Sequence, residues 1–115
     1  MNIKHLNQLL VVTFPDLANN YHAEVDWQEG DETGCHVVYG DVFAPYIEKI
    51  IAEKRYDEIQ KVFIFLEQIL SYEDKYYKEV VMFSVLERLM CNKEYFAICK
   101  DYFGELTEIA IKEIT

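Results

Sequence analysis

The stretch that decides the fold runs from Gly40 to Leu70 and reads GDVFAPYIEKIIAEKRYDEIQKVFIFLEQIL. Val42, Phe43, Tyr46, Ile47, Ile50 and Ile51 recur at helical spacing, and so do Ile59, Val62, Phe63, Leu66, Ile69 and Leu70. Apolar residues at i, i+3, i+4 and i+7 cover one stripe of a helix, and that stripe needs a partner surface. The charged link Lys54-Arg55-Tyr56-Asp57 is short, which makes the two helices antiparallel neighbours. Asp41 is placed to cap the first of them through its carboxylate. Pro45 falls in that helix's first turn, where a missing N–H costs little.

Working outward, Ser71 and Asp74 resemble a capping box for a third helix from about Lys75 to Met90. Tyr77, Val80, Val81, Val85, Leu86 and Leu89 form its buried face. Asn92 is suited to end it in a left-handed conformation. A last helix runs from about Lys93 towards Glu113, with Phe96, Cys99, Phe103, Leu106, Ile109 and Ala110 as its stripe. Gly104 lies within it and marks either a close crossing or a bend. On the N-terminal side, Ile3, Leu6, Leu9 and Leu10 form another helical stripe that Pro15 interrupts. Between His22 and Cys35 the helical pattern fails. Ala23, Val25 and Trp27 alternate with acids, which suits an extended segment, and Gly30 to Gly34 reads as a turn. Cys35 to Tyr39 would be the return strand of a small hairpin. The expectation is a single all-α domain over residues 1–115. It consists of antiparallel helix pairs, as a short α-solenoid or irregular bundle, with one irregular loop or small hairpin near residues 23–39.

Of the 115 residues 51% are hydrophobic, with nine Tyr and seven Phe, enough for a core without disulfide or metal staples. The formal charge is −10. It disfavours nucleic acid and anionic membranes, which need clustered cations, and favours a basic protein partner. No secretory signal and no membrane-spanning run is evident, and Cys35, Cys91 and Cys99 lack CxxC spacing. The expectation is a cytoplasmic protein with reduced thiols.

No reaction is spelled out. His5, His22 and His36 are dispersed, so no metal site is expected. Cys35 and His36 are adjacent, and a small hydrolase built on them is the weakest of the functional alternatives. Glu67 and Glu87 each follow a leucine in a buried stripe, at its solvent boundary or as a half-buried acid. The densest polar cluster is Glu24, Asp26, Glu29, Asp31 and Glu32, with Trp27 among them and no Lys or Arg. Residues 1–40 hold six acids against Lys4 alone, whereas residues 41–115 hold fifteen acids against ten bases. Trp27 is either a contact residue of a protein-binding surface or a ring folded back on the core.

Three blocks carry a resemblance: Val38-Tyr39-Gly40-Asp41-Val42-Phe43 with Pro45-Tyr46, then Phe63-Ile64-Phe65-Leu66-Glu67, then Val85-Leu86-Glu87. Over roughly residues 36 to 90 the chain resembles a family of small bacterial helical proteins. Its members look like immunity partners of polymorphic toxins, including contact-dependent growth-inhibition systems. The resemblance implies a cytoplasmic inhibitor that binds a toxin domain, often a nuclease, and it supplies no catalytic residue. The expectation is therefore a non-enzymatic immunity protein without cofactors. Its partner is a basic toxin domain, met through Glu24, Asp26, Trp27, Glu29, Asp31 and Glu32. A non-catalytic scaffold or regulatory adaptor is the alternative.

Overall fold

The computed structural model describes residues 2–115, and among them every regular element is helical. Among the described residues, seven helices form the fold. Helix α1 is Ile3–Thr13, and α2 spans residues 15–25, opening with a 3-10 turn at Pro15–Leu17. After a loop over residues 26–34, α3 spans residues 35–52 and α4 is Tyr56–Ser71. Helix α5 spans residues 75–90, α6 spans residues 93–102, and α7 is Glu105–Ile114.

The long stripes fold as their spacing predicts. Ile50, Ile59, Phe63, Leu66, Ile69, Val80 and Leu86 are all buried in one hydrophobic cluster that extends from Leu6 to Ala110. Phe14 closes its edge against the rings of Phe43, Tyr46 and Phe65. Tyr39 is fully buried and satisfies its hydroxyl by donating to the Leu6 carbonyl at 2.7 Å. Helix α3 packs on α5 as well as on α4, and α4 packs on α7. A solenoid repeat touches only its neighbours, so the arrangement is an irregular bundle.

The hairpin is absent among the described residues: its first proposed strand is helical up to Val25 and then turns into the loop, and its return strand, from Cys35 to Tyr39, is helical throughout. Leu17, Tyr21 and Val25 are buried at a spacing of four, while Ala23 and Trp27 face out. The two-residue alternation of Ala23, Val25 and Trp27 is thus incidental, and the four-residue stripe decides the conformation. Likewise Cys35, Val38, Tyr39, Val42 and Phe43 are buried while His36 and Val37 are exposed, which is a helical face. Burial of that face overrides the strand preference of Val37 and Val38. The turn at Gly30 is real, with φ at +59°.

Four local expectations change. Asp41 does not start a helix; it lies inside α3, in a π-helical stretch over Tyr39–Phe43. Asp74 alone caps α5, accepting from the Tyr77 N–H at 3.1 Å, while Ser71 donates back to the Gln68 carbonyl. Asn92 has extended backbone and caps α6 by accepting from the Tyr95 N–H at 3.1 Å. The last helical stretch is broken at residues 103–104, so Gly104 precedes α7 rather than lying inside a helix.

Helix α5 carries a second π-helical stretch, Val80–Leu86, which packs against that of α3. The stretch in α3 has a local reason to need outside support. In α3 the Ala44 N–H bonds the Tyr39 carbonyl, and Pro45 has no N–H to offer the Gly40 carbonyl. Arg88 of α5 supplies the missing donor, with Nη1 2.8 Å from the Gly40 oxygen and Nη2 2.7 Å from Glu48. One turn earlier on the same seam, His36 Nδ1 lies 2.7 Å from Ser84 Oγ.

Candidate functional site

The acidic excursion is not one surface. Tyr21 and Val25 anchor α2 in the core, and the residues between and after them are fanned around its exposed side. Asn20, Glu24 and Trp27 fall at i, i+4 and i+7, on one face. Asp26 lies around the helix on the side of His22, whose Nδ1 is 3.4 Å away. Asp31 turns back towards α1. It accepts from the Tyr21 hydroxyl at 2.6 Å and from Gln8 at 3.2 Å, while its carbonyl and that of Thr33 accept from the buried Asn7 amide. The Tyr21 hydrogen bond, more than any other contact, holds the Asp31 carboxyl below the ordinary carboxylate range. Asp31 thus fastens the loop to the bundle. Glu29 and Glu32 are exposed on that loop.

Trp27 is 73% exposed, so its ring does not fold back on the core. It borders an open depression of about 520 Å³ between α2 and the π-helical stretch of α3. Asn19, Asn20, Glu24, Asp41 and Val42 line it with Trp27, and no Lys or Arg does. Glu24 is held in place by Gln28, whose side-chain amide donates to its carboxylate at 2.7 Å and to its carbonyl at 2.8 Å. Of the six residues expected to meet a partner, the structure gathers Glu24 and Trp27 and adds Asp41. Asp41 is invisible to a reading that uses its carboxylate as a helix cap. A helix read through residues 18–25 from Leu17, Tyr21 and Val25 is the signal that would have placed Asn20, Glu24 and Trp27 together.

Cys35 and His36 are split between inside and outside. The Cys35 thiol is buried, donates to the Ile3 carbonyl at 3.5 Å, and is pushed up to about 11 by burial. His36 is exposed, beside Ser84 and the ring of Tyr76. A buried neutral thiol facing away from its imidazole is not an activated nucleophile. No group of three or more His, Cys, Asp or Glu that could hold a metal ion occurs among the described residues. No helix there is long and apolar enough to cross a membrane.

Glu67 has a different task from either boundary charge or acid catalyst. Its carboxylate reaches across to the start of α7. Oε2 accepts from the Thr107 N–H at 2.7 Å and from its hydroxyl at 2.6 Å, and Oε1 accepts from the Leu106 N–H at 3.1 Å. This is an N-cap supplied by another helix. Glu87 remains exposed at the edge of its stripe. A second depression, of about 400 Å³, has an apolar floor of Leu70, Leu106 and Ile109 and a rim that includes Lys75 and Lys78. Lys78 is paired with Glu113 at 2.7 Å.

Comparison with curated proteins and with solved structures finds no match to either. Residues 7–115 match the family described as a domain of unknown function, DUF7674, and by that match, which spans nearly the whole chain, the protein belongs to this family.

Proposed function

We propose that this protein is a non-catalytic binding protein that neutralises a basic protein partner, and that the partner is a bacterial toxin domain. The observation that carries the reading is the exposure of Trp27, 73% open to solvent beside Glu24 and Asp41 in a chain of net charge −10. Large rigid aromatic rings that stand out of an otherwise charged surface are characteristic anchors of protein interfaces. An acidic surface steers a basic partner towards it and rejects polyanions. The toxin assignment comes from the resemblance of residues 36 to 90 to immunity proteins, and the charge supplies its physical mechanism.

Co-expression with the product of the gene immediately upstream, assayed for toxicity and followed by co-purification, tests the reading. The expected result is a complex at low salt whose association slows as salt rises. Trp27→Ala is expected to weaken it by about 2 kcal/mol. Charge reversal at Glu24, Asp26, Glu29 and Glu32 should lower the on-rate. Asp31 is left intact, because its bond to Tyr21 holds the loop. A non-toxic upstream product, or no complex at low salt, overturns the assignment. A complex unaffected by these substitutions moves the contact to another surface.

A further inference from the structure

We infer that the depression beside Trp27 takes an arginine side chain of the partner. This rests on the proposed binding role and names the group the surface reads. Two independent features meet there. One is the indole, which is 73% exposed and makes no ring or cation contact among the described residues. The other is a pair of carboxylates, Glu24 from α2 and Asp41 from α3, lining the same space. Glu24 is oriented in advance by Gln28. Asp41 stands inside a helix rather than at its start, so no backbone N–H claims its carboxylate, and among the described residues it makes no hydrogen bond or ion pair. The nearest guanidinium to this turn, Arg88, is committed to the Gly40 carbonyl and to Glu48.

An aromatic face with carboxylates at its edge matches a guanidinium. Its plane stacks on the indole while its N–H fork reaches the carboxylates. A lysine ammonium is a compact and strongly hydrated point charge, so on an open surface it keeps its water and gains less from the ring. The acids repel phosphate, which sets nucleic acid and anionic lipid aside.

Trp27 is the one tryptophan of the sequence, so tryptophan fluorescence reports this depression. The probes are octa-arginine and octa-lysine peptides at low salt. The expected result is a saturable change in Trp27 emission with octa-arginine at about fivefold higher affinity than with octa-lysine. Glu24→Gln with Asp41→Asn should erase that preference. Glu94→Gln with Asp101→Asn, which removes the same charge from exposed positions on α6, should keep it. Equal affinity for the two peptides, or equal losses in the two double variants, overturns the arginine assignment and leaves acidic binding in place. If neither peptide binds at low salt, the arginine inference is overturned, while the proposed function stands or falls separately, on the complex with the upstream product.

Discussion

Glu67 and Gly104 form a pair in which each residue explains the other. A Cβ placed on Gly104 would fall inside contact distance of Cγ, Cδ and Oε2 of Glu67. The backbone there, φ −83° and ψ 176°, is open to any residue, so the glycine is required for space and not for conformation. Gly104→Ala is expected to push the carboxylate off Leu106 and Thr107 and to cost about 1–3 kcal/mol. In a Glu67→Ala background the same substitution should cost much less, because the group it displaces is gone. Urea unfolding of the four variants measures this. Additive losses would show that the two residues act separately. At this scale the sequence is legible as far as an oddly placed glycine. Its cause lies thirty-seven residues earlier, at Glu67, and no local pattern connects the two.

Helix α3 shows what a periodic reading resolves and where it stops. The stripe from Val42 to Ile51 gives the helix, and Pro45 suggests a start that the buried face from Cys35 to Phe43 overrules. A proline inside a helix removes a donor and crowds the carbonyl a turn before it. The π-helical turn widens the backbone at that level, and Arg88 takes up the carbonyl left over. Arg88→Ala is therefore expected to destabilise the fold by about 1 kcal/mol, more than Glu48→Ala, which removes only an exposed ion pair. Pro45→Ala restores a backbone N–H, so Arg88→Ala should cost less in that background. Denaturant midpoints of the single and double variants test the coupling, and an unchanged cost of Arg88→Ala would refute it. Helix α2 is harder to read, for the opposite reason. Its buried stripe is thin, one residue per turn, and the acids beside it produce a false alternation.

At the level of the whole molecule, the sequence fully exposes net charge and helical class but not which acids share a face. The fold distributes the excursion in several directions and recruits Asp41 from elsewhere. With −10 on a chain of this size, the folded state works against its own repulsion. Raising sodium chloride from about 10 mM to about 150 mM shortens the screening length from about 30 Å to about 8 Å. The thermal midpoint is expected to rise by a few degrees over that range, about 1 kcal/mol or less. Calorimetry or circular dichroism checks it. A midpoint that falls with salt would show that attractive surface pairs such as Lys78–Glu113 and Arg88–Glu48 outweigh the repulsion.

The cap that starts α7 also sets an order of events. Its oxygens belong to a residue made some forty positions earlier, so the first turn of α7 lacks its partner until α4 is formed and in place. On the ribosome α4 emerges first and α7 follows, and the waiting carboxylate works as a latch that only the later segment can close. A chain interrupted before Glu105 would hold Glu67 without three of its donors and would leave the Ala110 side of the core uncovered. A chain interrupted there carries an exposed apolar seam that α7 otherwise covers, and such a seam favours aggregation.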